Sequence, residues 1–189
     1  ANLQFNEVAP TSIDAGTLRF AFTAPPGLGE TTYAVSSWPQ DLAMAGDTWF
    51  NSAYIFPEGW APGTQNFLTL LHEVGHAIGL KHPHDTGMGG SPGWPLNASV
   101  LPFTGSDTLI NYSSENMVMA YNDVPGLGSP VQADFAATTP MRVDIAAVQY
   151  LYGANLAFNS GDTDYSYSSS TRYNETIWDG GGNDTIRVD

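Results

Sequence analysis

The chain has 189 residues, of which 42% are hydrophobic, enough for one domain with a real core or one domain plus a fragment. With 19 acidic and 5 basic residues, its net charge of −14 argues against nucleic acid or an anionic membrane surface as a partner and is compatible with cation binding. The lack of cysteine excludes a disulfide framework and thiolate chemistry. No apolar run approaches the roughly 20 residues of a membrane helix, and the first residues do not have the pattern of a signal peptide.

The first part of the chain contains four strand-like stretches. Residues 3–8 and 18–22 alternate apolar and polar side chains, and 33–35 is a weaker candidate. The aromatic-rich stretch 47–56 predicts a strand near the edge of the sheet, where it would pair with an extended peptide. A buried strand with aromatic packing is the alternative for the same residues.

Two helices are predicted from apolar residues at helical spacing. The first is capped by Thr64 or Asn66. Its core-facing stripe consists of Phe67, Leu70, Leu71, Val74 and Ile78. The second starts at the threonine–proline pair 139–140, with Asp144 placed in its first turns to suit the helix dipole. Between the helices, 83–131 is rich in Gly, Pro, Ser and Asn, which predicts a long loop that is functional or ordered by ions.

The pattern H-E-x-x-H-x-x-G-x-x-H begins at His72, and each fixed position has a mechanical reason. His72 and His76 lie on one helix face, so they can hold one metal ion between them. Glu73 lies beside the ion but off the ligand stripe, where a base for metal-bound water is needed. Gly79 can take a positive φ, end the helix and turn the chain so that His82 supplies a third ligand. Three neutral imidazoles leave a fourth zinc position open for water, which is typical of a catalytic site.

The motif and the proline that follows it resemble the serralysin branch of the metzincin peptidases. A bare H-E-x-x-H occurs by chance in many helices, but ordinary polar residues on an amphipathic helix do not explain the added glycine and third histidine. The family has a methionine turn beneath its metal with a tyrosine two residues further on, which Met119 and Tyr121 match. Met117 is a competing methionine without a tyrosine at that offset. The resemblance implies that Met119 is an apolar floor under the histidines, and that Tyr121 is a loosely held extra zinc ligand that swings away to hydrogen-bond the oxyanion.

The resemblance also implies an α+β fold and a division of the chain. The expected parts are a metzincin zincin-like domain, with a twisted, mostly parallel sheet that has an antiparallel edge strand, a zinc helix and a C-terminal helix, followed by the beginning of a parallel β-roll. Residues 144–155 are similar to the family's helix after the methionine turn, and 176–186 resemble the entry into its calcium-binding β-roll. The expected units are a catalytic domain at 1–155 and a calcium-binding linker with a first β-roll turn at 156–189.

The second expected unit carries an implied calcium site. The run Gly182-x-Asp184-x-Ile186 fits a Gly-rich nonapeptide repeat, with Asp179 where the repeat's first glycine would stand. Carboxylates and backbone carbonyls are the hard oxygen ligands that calcium takes. The calcium ligands implied by the resemblance are Asn159, Gly161, Thr163, Asp179, Gly181, Gly182 and Asp184.

The function implied is that of a secreted, extracellular bacterial zinc endopeptidase with Zn²⁺ and Ca²⁺ as cofactors and proteins or peptides as substrates. Glu73 would be the general base for attack of a zinc-bound water on the peptide bond. Members of the family carry further chain on both sides of this region, which implies that this is a fragment or processed core and that a companion chain could supply the rest. A protein inhibitor is a further expected partner. Two alternatives stay open: a non-catalytic calcium- and zinc-binding module, and a zinc hydrolase with a non-peptide substrate.

Overall fold

The computed structural model describes residues 1–8, 17–24, 28–29, 31–40, 42–83, 113–121 and 135–189. Within these ranges the chain forms an α+β fold with a three-stranded sheet, two α-helices and a separate two-stranded sheet. The predicted loop at 83–131 lies largely outside the described residues. Neither helix of the described part has the length and apolar character that crossing a bilayer requires.

The three-stranded sheet is mixed. Strand β1 (Arg19–Thr23) runs parallel to β3 (Asp47–Asn51), and β2 (Ala34–Ser36) runs antiparallel to β3, so the order is β1-β3-β2. A 3-10 turn at Ser52–Tyr54 follows β3 directly. The antiparallel edge strand is therefore β2, which the sequence predicted only weakly. The prediction of an edge strand over 47–56 is wrong, because β3 has partners on both sides.

The alternative interpretation of β3, a buried strand with aromatic packing, is confirmed for the face that carries Phe50, whereas Trp49 on the other face is 42% exposed. Phe50 is buried, and its ring centroid lies 5.1 Å from that of Trp60. The strand predicted at 3–8 does not form, and Asn2 instead donates its N–H to the Gly153 carbonyl oxygen at 2.9 Å. A strand needs a neighbour for its backbone groups, and an alternating pattern of side chains does not supply one.

The first helix, α1, spans Gln65–Ala77. Thr64 caps it by accepting the N–H of Phe67 at 3.2 Å, which confirms one of the two predicted caps. The other candidate, Asn66, bonds instead through its side chain to the backbone of Phe56. The buried residues of α1 are Asn66, His72, Glu73, Gly75, His76 and Ala77. The predicted apolar stripe is only half-buried, so the motif and not the stripe occupies the most buried side of the helix.

The end of α1 is a Schellman turn. Gly79 has a φ of 105° and donates its N–H to the His76 carbonyl at 2.9 Å, while Leu80 donates to the Gly75 carbonyl at 2.9 Å. This left-handed φ suits glycine because glycine has no Cβ to clash. The turn predicted at Gly79 is confirmed, and it leads the chain into His82.

The hydrophobic core joins α1 to a second helix through the segment 117–120. This helix, α2, spans Arg142–Tyr152 with Met141 as its N-cap, and Asp144 accepts the Met141 N–H at 2.9 Å. It begins later than the pair 139–140 predicts, because Asp144 caps the chain at Met141. The buried core consists of Leu80, Met117, Val118, Met119, Ala120, Ala137, Met141, Val143 and Ala147. Since this core packs on the motif side of α1, the first helix presents the polar residues of the motif inwards.

A parallel pair of strands lies in the second expected unit. Strand β4 (Asp164–Tyr167) pairs with β5 (Thr185–Val188), and Tyr165 lies opposite Ile186. The Trp178 indole N–H donates to the Asn155 carbonyl at 3.2 Å. This bond ties the loop before β5 back to the end of the first expected unit.

Candidate metal centre

Three histidines converge on one point at the end of α1. The Nε2 atom of His82 lies 3.0 Å from Nε2 of His72 and 3.1 Å from Nε2 of His76. The ligand atoms of all three lie within 4.8 Å of one another, and two of the three residues are buried. Nitrogens bound to one tetrahedral zinc ion at about 2.0–2.1 Å lie about 3.3 Å apart. The three imidazoles are therefore spaced to share an ion.

Backbone carbonyls hold two of these rings from behind. His72 Nδ1 lies 2.8 Å from Val118 O, and His76 Nδ1 lies 2.9 Å from Leu80 O. An Nδ1–H that donates to a carbonyl fixes the tautomer whose Nε2 carries the lone pair for a metal. Trp38 Nε1 also lies 3.3 Å from His76 Nδ1, but an Nδ1 that donates to Leu80 cannot accept, so we regard that contact as packing. Three neutral imidazole nitrogens are a donor set that fits zinc.

Glu73 is buried beside the histidines, with 5% of its surface exposed. One carboxylate oxygen, Oε2, has no hydrogen-bond partner among the described residues. Burial raises the pKa of Glu73 to about 7, and a hydrogen bond with the Ser36 side chain partly opposes that rise. The Ser36 hydroxyl lies 2.6 Å from that of Thr48. A carboxyl group with a pKa near neutral and an open acceptor atom can take up a proton and release it again.

The segment after the described gap brings Met119 and Tyr121 to the histidines. Met119 is fully buried, and a Cβ placed on Gly75 would lie 2.4 Å from its sulfur, so it packs directly against the motif. The Tyr121 hydroxyl lies 3.4 Å from His72 Nε2, and its ring centroid lies 4.5 Å from that of His82. Tyr121 is 59% exposed, so solvent and a substrate can reach it.

Asp144 connects α2 to the same segment, a role that no local sequence pattern indicates. Its carboxylate accepts the N–H of Val118 at 2.7 Å and that of Met119 at 3.4 Å, besides that of Met141. Burial raises the pKa of Asp144 to about 7 against the opposing effect of these hydrogen bonds. Because Val118 O in turn holds His72, Asp144 helps to position the metal ligands without touching the ion.

A cavity of about 440 Å³ opens beside the histidines. Its walls come from β2 and the residues before it, from α1, and from 114–121. His72, Glu73 and Tyr121 all lie in its lining, among apolar side chains. Ligand sites in proteins are concave, mostly apolar and about 300–1,000 Å³ in volume. The cavity therefore has the size and position of a substrate site.

Two loops that contain the implied calcium ligands lie against each other. Asp184 Oδ1 accepts the N–H of Thr163 at 3.0 Å. A Cβ on Gly182 would lie 2.5 Å from the Gly161 carbonyl oxygen, so only glycine allows this approach. The remaining implied ligands in the two loops are Asn159, Asp179 and Gly181. The two loops thus carry carboxylate and carbonyl oxygens, which are the atoms that calcium takes.

The α+β fold, with two helices, a mixed sheet and a histidine triad, is compatible with a metzincin-like domain. The chain is 31% identical over 202 residues to serralysin B of Dickeya chrysanthemi, which covers 98% of this chain and 40% of the relative. It is 38% identical over 175 residues to metalloprotease AprA of Pseudomonas entomophila (strain L48), with 84% and 34% covered. It is 34% identical over 212 residues to serralysin of Proteus mirabilis, with 98% and 40% covered. No protein-family model matches the chain. The chain corresponds to a serralysin-type metalloprotease region and spans about two fifths of the length of the serralysins it matches.

Proposed function

We propose that this chain is the catalytic region of a secreted bacterial zinc endopeptidase that hydrolyses peptide bonds of proteins. The observation that carries the proposal is the convergence of three imidazole Nε2 atoms next to buried Glu73 and a cavity of about 440 Å³. The relatives, which are named serralysins and metalloproteases, support the same activity. Secretion is proposed from the family resemblance alone.

Each residue of the site has a distinct role in the proposed hydrolysis. His72, His76 and His82 would hold zinc, which when bound lowers the pKa of a water ligand to about 7 and polarises a carbonyl group. Glu73 takes a proton from the attacking water at Oε2, the oxygen without a partner in the described chain, and hands it to the leaving amine. Tyr121 donates its hydroxyl hydrogen to the oxyanion, a contact of a kind that contributes about 3 kcal/mol. The buried methionine of the turn keeps the floor of the site apolar.

An extended peptide fits this cleft because β2 is an edge strand. In the described sheet β2 pairs with β3 alone, and residues 31–34 at its start line the cavity. A peptide that adds to a sheet edge gains main-chain hydrogen bonds, while its side chains alternate between pockets and solvent. This arrangement favours a peptide over a non-peptide substrate for the zinc centre.

We also propose that calcium binds between the loops 159–163 and 179–184, next to the first turn of a parallel β-roll formed by β4 and β5. The close approach of these loops and their exposed oxygens support the site. The proposed ligands are Asn159, Gly161, Thr163, Asp179, Gly181, Gly182 and Asp184. This unit follows a catalytic domain that ends near Asn155.

Casein cleavage by the zinc-loaded chain, with metal content measured by mass spectrometry, tests the proposal. We expect one zinc per chain and cleavage that phenanthroline abolishes. Glu73→Gln should keep the zinc and lose turnover, whereas Glu58→Gln, a matched change at an exposed glutamate, should leave both unchanged. Cleavage by Glu73→Gln at the parent rate would show that the assigned general base is wrong.

Two other outcomes would favour the alternatives. Zinc binding without cleavage of any peptide would favour a non-catalytic module, or a catalytic region that needs a companion chain. Cleavage of small esters but not of casein would favour a non-peptide substrate. Titration with a candidate inhibitor protein has meaning only after cleavage has been measured.

A further inference from the structure

The second expected unit reaches the cavity beside Glu73. Asn174, which lies in 156–189, lines this cavity together with Ala136 and Ala137 from the segment before α2. A residue beyond the proposed catalytic domain therefore forms part of the wall of the proposed substrate site. The sequence gives no local signal for this, because Asn174 lies in an ordinary polar stretch.

Three hydrogen bonds fasten this part of the wall. The backbone carbonyl of Asn174 accepts both the N–H and the hydroxyl hydrogen of Thr138, at 2.8 Å and 3.1 Å. Two residues further on, Thr176 donates its N–H to the Thr139 hydroxyl oxygen at 2.9 Å. Because these bonds use main-chain atoms on the side of the second unit, a change of the Asn174 side chain leaves them in place.

Asn174 is the polar residue of this part of the wall, beside Ala136 and Ala137. Its amide makes no hydrogen bond within the described residues. Most of the exposed lining area is apolar, with Leu68 and Met117 among the lining residues, and Gln65 and Glu115 are polar residues of the same lining. An amide in such surroundings can donate to and accept from a ligand atom, and it gains more from a polar ligand atom than from a methyl group.

From this placement we propose that Asn174 is a specificity-determining residue, and that the second unit thereby selects the substrate of the first. It favours a long substrate side chain in this cavity, with an apolar stem and an uncharged amide tip. This inference rests on the proposed peptidase function. Glutamine and methionine side chains have nearly the same length and differ at the tip, so they form the test pair.

The test compares two peptides that carry glutamine or methionine, placed in turn on either side of the scissile bond. In the parent chain we expect higher kcat/KM for glutamine, and in Asn174→Leu a fall of the glutamine-to-methionine ratio by about three- to tenfold, the value of one lost hydrogen bond. Thr171→Leu adds the same side chain at an exposed position of the same unit and should leave the ratio unchanged. The isosteric Asn174→Asp should raise the preference for a lysine peptide over the glutamine peptide.

Binding of the same peptides to the zinc-loaded Glu73→Gln chain, measured by calorimetry, gives a readout independent of turnover. The Kd ratio should shift in the same direction as the kcat/KM ratio. A ratio within twofold of the parent in both Asn174 variants would overturn the inference and leave the peptidase proposal intact. If the parent chain cleaves nothing, the chain alone is not an active peptidase, and the Kd ratios still decide whether Asn174 contacts the ligand.

Discussion

Gly75 and Met119 are in such close contact that the helix has no room for a side chain there. A Cβ on Gly75 would lie 2.4 Å from the Met119 sulfur and 3.5 Å from Leu80 Cδ1. Met119 and Leu80 are both fully buried, so neither can move aside into solvent. The glycine inside the zinc motif is thus explained by packing of the methionine turn against α1.

Gly75→Ala should therefore destabilise the chain although alanine is the better helix former. The gain in helix propensity is about 1 kcal/mol, while overpacking of a filled core costs about 1–3 kcal/mol. We expect a net loss of about 1 kcal/mol in urea unfolding and weaker zinc binding in a competition titration. In a Met119→Ala background the same change should cost less, since the clash is gone. Equal costs in the two backgrounds would show that the contact does not matter.

Gly79→Ala should weaken zinc binding through the backbone and not through a clash. The φ of Gly79 is 105°, and its nearest neighbour to a new Cβ would be Leu151 Cδ1 at 3.7 Å. A left-handed backbone costs an L-residue about 1–2 kcal/mol, and relaxing that strain would displace His82. Gly59→Ala is the matched control, because Gly59 has a φ of 79° with open space around it and lies outside the metal motif. Both variants should lose stability, but only Gly79→Ala should raise the Kd for zinc.

Asp144→Ala should be among the most damaging single changes outside the metal ligands. It leaves the N–H groups of Val118, Met119 and Met141 without their acceptor in the core, and each such loss costs about 1–3 kcal/mol. Asp144→Asn should cost only about 1 kcal/mol. The reason is that Oδ2 accepts the N–H groups of both Val118 and Met141, and an amide oxygen can take its place. The amide NH₂ group would then replace only Oδ1, which makes the longer contact with the Met119 N–H. Urea unfolding checks the order, and equal losses in both variants would contradict it.

The sequence predicts the parts of this site whose geometry depends on near neighbours in the chain. The hydrogen bonds of the cap at Thr64 and of the turn at Gly79 join residues three to five positions apart, so the local pattern contains their cause. The role of Asp144 could not be predicted in this way, because Val118 and Met119 are 26 and 25 residues distant. The sequence indicates the position of Asp144 in the first turns of the second helix, but it does not indicate which N–H groups the carboxylate accepts.

The position of β3 within the sheet could not be predicted for the same reason. The aromatic pattern of β3 was recognised, but its place between β1 and β2 depends on pairing with residues 19–23, far away in sequence. The hydrogen bond between Ser36 and Glu73 likewise joins an edge strand to a helix. The strand propensity of a segment indicates that the segment pairs with another strand. Which strand it pairs with is determined only in the assembled sheet.

The contribution of two buried carboxyl groups to the stability of the metal-free chain should fall as pH rises from about 5 to about 7. The pKa of Glu73 and that of Asp144 are both raised to about 7 by burial, from the ordinary values of 4.5 and 3.8. In that window the native chain therefore binds more protons than the unfolded chain, and each group lowers the free energy of unfolding by up to about 1.4 kcal/mol per pH unit. Urea midpoints in EDTA at several pH values test this.

Glu73→Gln should flatten this pH profile relative to the parent chain. Glu58→Gln, at an exposed glutamate, should reproduce the parent profile. The difference between the two variants isolates the contribution of the buried carboxyl group from that of the neighbouring imidazoles. Parallel profiles for all three chains would mean that Glu73 has an ordinary pKa in the metal-free protein.

Tyr121→Phe should lower kcat by about 100-fold, the usual effect of removing one oxyanion donor, with little change in KM or zinc content. The hydroxyl is 3.4 Å from His72 Nε2, close enough to the proposed ion site to reach a developing oxyanion. Tyr150→Phe, at an exposed tyrosine of α2, serves as the control. A raised KM with unchanged kcat would assign Tyr121 to ground-state substrate binding instead.

Two of the three imidazoles are oriented by main-chain oxygens, those of Val118 and Leu80. A carbonyl oxygen is present whatever side chain the residue carries, so substitution at either position cannot delete the acceptor. Both positions are buried, which leaves side-chain volume as the constraint that acts on them. Either residue can therefore be replaced during evolution by another apolar residue of similar size. The orientation of the two imidazoles is preserved as long as the path of the backbone is unchanged.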